Sequence, residues 1–274
     1  MTAPFCSRRT PRFWPLACAG SLALFASACG GGGGGGPGTA TGQFKDSNVS
    51  GLEYVSGSRS GTTDELGFFT YERNSPVTFS VGAVTLGSAS GNDLVTPLDL
   101  VAGGSSDHQA VVNIARFLQM LDEDGDPDEG GISISADVRA QASDWPALDF
   151  DVDVDDFGDD ADVAHIVTQV GGVLPAPAVA QAHLEKTLRC AYAGAFVGNY
   201  RQNGNGSARG QFGLLVSALT GEVQGWVWSQ VDEFGDADDI DAISLSGSQA
   251  VSYDQDRAFV SGFGGDGSNF EGRF

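Results

Sequence analysis

Four aspartates alternate along one short stretch of the chain: Asp122, Asp124, Asp126 and Asp128, with Glu129 beside the last. Calcium takes roughly six to eight oxygen ligands, and alternate carboxylates on a tight turn can converge on one ion. The stretch follows a helical pattern, so Asp122 stands where the helix should end. An anion is unfavourable there unless a cation neutralises it. These four aspartates are the candidate metal ligands, with calcium as the ion. The alternative is a solvated acidic loop.

Measured against an EF-hand loop, positions one, three and five fit. Position six is Pro127 and position twelve is Ser133, where the tight turn and the closing carboxylate belong. The stretch more closely resembles the Asp-x-Asp-x-Asp loops of bacterial surface modules. Two further acidic tracts exist. In Asp149, Asp151, Asp153, Asp155 and Asp156 the alternation with Phe150, Val152 and Val154 predicts a strand whose aspartates share one face. Asp236, Asp238, Asp239 and Asp241 read as a hairpin loop. Signals for catalysis are sparse. His108, His165 and His183 occur at no metal-binding spacing and beside no nucleophile motif, and His183 reads as a packed or surface histidine. Gly262-x-Gly264-x-x-Gly267 has the form of a dinucleotide fingerprint but lacks the strand–helix unit that gives it meaning.

The elements that must carry these residues are mostly strands. From Phe44 to Leu100, short β-branched and aromatic runs are separated by glycine, the pattern of an antiparallel sandwich. Ser106-Asp107 should cap a helix, followed by Val111, Ile114, Ala115, Leu118 and Leu121 at helical spacing. Helices are expected near 161–170 and from Pro177 to Leu188. From Tyr192 on, glycine and aromatic residues alternate in about six short strands, an antiparallel meander or partial barrel. The fold class expected is mainly β with a helical middle segment.

The start of the chain gives its address. Arg8, Arg9 and Arg12 precede an apolar run from Phe13 to Ala28, which ends in Leu24-Phe25-Ala26-Ser27-Ala28-Cys29-Gly30. Basic, then apolar, then small residues is the order of an export signal. The small residues before Cys29 resemble the lipobox of bacterial lipoproteins, with Ala26 where leucine is usual. The resemblance implies cleavage before Cys29 and a diacylglycerol on its sulfur. Gly30, in place of the aspartate common in inner-membrane lipoproteins, implies the outer membrane. An ordinary signal with an incidental cysteine is the alternative. Gly30 to Gly36 form an unbroken glycine run, a flexible tether that can bury no apolar area.

Segments 44–104 and 191–274 also carry resemblances. Gly51-Leu52-x-Tyr54, Gly61-x-Thr63-Asp64-x-x-Gly67-x-Phe69-x-Tyr71 and Thr96-Pro97-Leu98-Asp99-Leu100 resemble the small prealbumin-like modules of bacterial surface proteins, of the Cna-B and carboxypeptidase-regulatory-like types. Tyr192-x-Gly194-x-Phe196-x-Gly198-x-Tyr200 resembles the glycine-rich β domains of outer-membrane lipoproteins. The organisation expected is a signal over 1–28, a lipidated cysteine and tether over 29–43, a sandwich-like module over 44–104, a helical segment with acidic loops over 105–190 and a β domain over 191–274.

Charge narrows the partners. The chain has 36 acidic and 14 basic residues, net −22. Loss of the three signal arginines would leave 36 acids against 11 bases, net −25. Phosphate backbones are repelled by such a body, which excludes nucleic acid. After cleavage Cys190 would be the only cysteine besides Cys29, and it reads as a small buried residue without a disulfide. The function expected is a non-enzymatic structural, adhesion or binding role in the envelope, with the membrane reached through the lipid and with envelope proteins, surface proteins or glycans as partners. An envelope hydrolase using acidic residues and a lipocalin-like ligand-binding barrel are the alternatives.

Overall fold

In the computed structural model the described residues are 38–200, 210–229, 242–245, 258–262 and 269–273. Cys29, the glycine run, the 236–241 cluster and the turn after Gly262 lie outside them.

Two sheets face each other in the first part. One orders its strands β5 (Phe68–Glu72), β1 (Thr39–Phe44) and β8 (Leu94–Val95), with β1 antiparallel to β5 and parallel to β8. The other is antiparallel, in the order β4 (Arg59–Thr62), β3 (Glu53–Ser56), β6 (Pro76–Val81) and β7 (Val84–Ser90). The run Val49–Tyr54 is divided by Gly51 at φ +76, which separates β2 (Val49–Ser50) from β3. Aromatic rings from the two sheets meet in between. Phe44 of β1 lies 4.8 Å from Phe79 of β6, and Phe69 of β5 meets the same ring edge-on at 5.1 Å.

Helix α1 (Gln109–Met120) joins this core and is buried on every side; only Gln109 is partly open. Its Ile114, Phe117, Leu118 and the following Leu121 belong to the core with the two sheets. Val111 and Ala115 face a second core with Ala180, Leu184 and Leu188 of α5 (Pro177–Tyr192) and with Leu214, Val216 and Val223 of the terminal sheet. The cap is His108, whose Nδ1 accepts from the Ala110 amide, and not Ser106-Asp107.

Two short helices, α2 (Ala136–Gln141) and α3 (Val154–Asp159), precede α4 (Ala161–Val170). The second acidic tract is therefore not a strand. Its aspartates do point outward and Phe150 is buried, but the backbone is held by α1 side chains. Asn113 Nδ2 donates to the carbonyls of Phe150 and Val152, and Arg116 Nη1 to that of Val154. Asp149 and Asp153 each accept from the amide two residues on, which turns the chain. With Asp153 as cap, helix α3 begins.

Strands β10 (Gly194–Tyr200), β11 (Gly210–Val216), β12 (Val223–Ser229) and β13 (Ala242–Leu245) form an antiparallel meander, and β14 (Ala258–Gly262) pairs with β15 (Asn269–Arg273). Direct cross-strand partners explain the glycine–aromatic alternation. A Cβ on Gly198 would stand 2.9 Å from the Phe212 ring, and one on Gly213 would stand 2.7 Å from that of Trp226. Each glycine makes room for the ring opposite it.

Helix and strand occupy similar shares of the structure, so the class is mixed, with several antiparallel sheets, and the expectation of a mainly β chain with a helical middle holds only in part. The sequence reading missed α2 and α3, whose few turns carry no extended apolar period. Among the described residues the sheets are open and form no closed barrel, and no helix there is long and apolar enough to cross a membrane.

Candidate functional site

The acidic loop leaves α1 at Leu121 and returns at β9 (Ile132–Ser133), which pairs in parallel with β2. Its base is closed twice. The Ser133 amide donates to Asp122 Oδ1 at 2.8 Å, and the Glu123 amide donates to the Ser133 carbonyl at 3.1 Å. Gly125, Gly130 and Gly131 take left-handed φ values of +71, +87 and +93. At Gly131 a Cβ would also strike the Asn48 carbonyl at 2.5 Å, so glycine is required there.

The four predicted ligands divide into three environments. Asp122 is 8% exposed; its Oδ2 is buried and has no hydrogen-bond partner. Burial first, then the neighbouring Asp124 carboxylate, push its carboxyl up to about 6. Asp124 and Asp126 are exposed, and each accepts from the amide two residues on, Asp126 N and Asp128 N respectively. Asp128 turns away toward α5. Its Oδ1 lies 3.0 Å from His183 Nδ1 and its Oδ2 lies 2.7 Å from Lys186 Nζ. Lys186 first, with His183 adding to it, holds the Asp128 carboxyl below its ordinary value. Among the described residues no three His, Cys, Asp or Glu side chains are arranged to hold a metal ion.

A second cluster adjoins this loop, and no sequence signal marked it. Asp46 and Ser47 form the turn between β1 and β2, with Ser47 at φ +65, an unusual conformation for a residue with a side chain. Asp46 is fully buried. Its Oδ2 accepts from Gln119 Nε2 at 3.0 Å, while Oδ1 has no hydrogen-bond partner and lies 3.8 Å from His183 Nε2. Desolvation raises its carboxyl to about 6, opposed by His183 and Gln119. Ser47 Oγ stands 3.0 Å from His183 Nε2 and 2.8 Å from the Pro127 carbonyl, to which it can donate. The Ser47 amide donates to Thr187 Oγ1 at 3.0 Å. Three segments distant in sequence thus meet at one imidazole: the 46–47 turn, the acidic loop and α5. The period of α5 places His183, Lys186 and Thr187 on one face, but nothing in the sequence names what that face meets.

Cys190, also on α5, is half-buried and disulfide-bonded. The expectation of an isolated buried thiol is corrected. That expectation concerned the mature chain, without Cys6 and Cys18. The other three cysteines lie outside the described residues.

No protein-family model, no curated protein and no solved structure matches the chain.

Proposed function

We propose that this chain is a lipid-anchored protein of the bacterial cell envelope, held to the outer membrane through Cys29, with a structural, adhesion or binding role stabilised by calcium. The order of segments at the start carries the anchor: basic residues, an apolar run, small residues, Cys29 and then a glycine tether. Strand β1 begins at Thr39, an exposed position three residues after the glycine run and within the 29–43 stretch expected to be tether. The paired sheets of the first part suit the prealbumin-like module, and the glycine–aromatic meander suits the terminal β domain of such lipoproteins. Several acyl chains are needed for a durable hold on a membrane, as a lipidated N-terminal cysteine would provide.

Calcium rests on Asp122. A buried carboxylate oxygen without a donor is costly, and a second carboxylate beside it adds repulsion. A divalent cation between Asp122 and Asp124 would relieve both. The test is a thermal melt with millimolar calcium against chelator, repeated on Asp122→Asn. A rise in Tm with calcium that vanishes in the variant supports the site; equal melts in the wild-type chain exclude it.

A further inference from the structure

We infer that Ser47, His183 and Asp128 form a hydrolytic triad, with Ser47 as nucleophile toward acyl esters. This goes beyond the anchoring and calcium reading and depends on neither. The order of atoms is the one that nucleophilic serine chemistry requires. Ser47 Oγ lies 3.0 Å from His183 Nε2, and His183 Nδ1 lies 3.0 Å from Asp128 Oδ1. Nδ1 faces a carboxylate and so carries the proton, which leaves the Nε2 lone pair to receive the serine proton. Asp46 Oδ1, buried and without a hydrogen-bond partner, lies 3.8 Å from Nε2, so each side of the ring faces a carboxylate as positive charge develops. Ser47 sits on a two-residue turn at φ +65, which lifts its side chain out of both strand ladders, and the residue is only half-buried. Lys186 holds the other oxygen of Asp128 and fixes the rotation of its carboxylate.

The reaction balances with water alone. Ser47 Oγ bonds to the ester carbonyl carbon while its proton passes to His183 Nε2. The carbon–alkoxy bond breaks and the leaving alcohol takes that proton. Water then attacks the acyl-serine, gives a proton to Nε2 and releases the acid, and the proton returns to Ser47 Oγ. In the resting arrangement the hydroxyl also has the Pro127 carbonyl within reach, so attack requires it to turn its proton to Nε2. His183 is the base; Asp128 and Asp46 are positioning residues.

The test uses the full chain, an alkyl fluorophosphonate probe and p-nitrophenyl acetate. Phosphonylation of Ser47 releases fluoride and is located by peptide mass. Ser47→Gly is the decisive variant, because glycine accepts φ +65 without strain and keeps the amide that reaches Thr187. It should stay folded and lose all labelling. His183→Ala should slow labelling by about 100-fold or more, the usual span for loss of a general base. Asp128→Asn should slow it and displace its pH profile, which a merely structural contact would not do. Absence of labelling and ester turnover in the wild-type chain, labelling elsewhere than Ser47, or an unchanged rate in His183→Ala would each overturn the triad.

Discussion

His183 Nδ1 lies 3.0 Å from Asp128 Oδ1, which ties helix α5 to the acidic loop that leaves helix α1. The imidazole is 7% exposed and touches Ser47 through its other nitrogen. Replacing His183 by alanine removes both contacts and leaves Asp46 buried with Gln119 as its one side-chain donor. A hydrogen bond to a charged group is worth about 1.5–3 kcal/mol and a neutral one about 0.5–1.5 kcal/mol, so the variant should lose on the order of 2–4 kcal/mol. Urea unfolding at pH 7 measures it. A loss below about 0.5 kcal/mol would mean that the histidine does not tie these segments together.

Asp46 sets a pH dependence. Its folded carboxyl titrates near 6 and its ordinary value is 3.8. Between those values the folded chain holds a proton that the unfolded chain has released, so stability falls as pH rises through that window. From this group the folded chain is favoured at pH 4 over pH 7 by about 2 kcal/mol. Asp122 acts in the same direction when no cation is bound. Asp128 and Glu72, whose carboxyls are lowered, act oppositely, and their share is lost only as pH falls below the ordinary carboxylate range. Asp46→Asn should flatten the slope between pH 4 and 7 in chelator; a slope equal to that of the wild-type chain would remove Asp46 as its source.

Calcium should reverse the share that Asp122 contributes. A cation held by that carboxylate binds best to its ionised form, so the calcium-induced rise in Tm should be larger at pH 7.5 than at pH 5. A rise independent of pH would place the ion away from Asp122.

Gly82 offers a test of how the second sheet meets the helical segment. It turns the β6–β7 hairpin at φ +56, and a Cβ there would stand 2.3 Å from the Ala142 carbonyl carbon. The next amide, Ala83 N, donates to that same carbonyl group at 2.8 Å. Gly82→Ala combines backbone strain with a backbone clash and should cost about 2 kcal/mol or more. Gly103→Ala is the control: it has a similar φ of +69 with open space around it, and should cost less. Equal losses in chemical denaturation would mean that the contact with Ala142 contributes nothing.

Much of this fold can be read from the residues, and the failures have physical causes. Helices α1, α4 and α5 follow from apolar spacing, and the terminal strands from glycine–aromatic alternation. The tract from Asp149 to Val154 alternates as a strand would, yet its carbonyls at Phe150, Val152 and Val154 are taken by Asn113 and Arg116. Periodicity reports which side is wet and not which groups accept the backbone hydrogen bonds. The Asp122–Asp128 loop is legible as a motif, but its division into three environments depends on what packs beside it. Asp128 is drawn to α5 by His183 and Lys186, from more than fifty residues away. Ser47 is less legible still, because its partner His183 is 136 residues distant in the chain.

The anchor itself is decided by the intact mass of the protein extracted from membranes of the cell that makes it, with fragmentation of its first peptide. The expected result is an N-terminus at Cys29 that carries a diacylglycerol thioether and acyl chains. Cys6 and Cys18 would leave with the signal and the Cys29 sulfur would hold a thioether, so the mature chain would keep no second thiol for a disulfide with Cys190. An N-terminus at any other residue, or a Cys29–Cys190 disulfide in the mature chain, would contradict lipid anchoring.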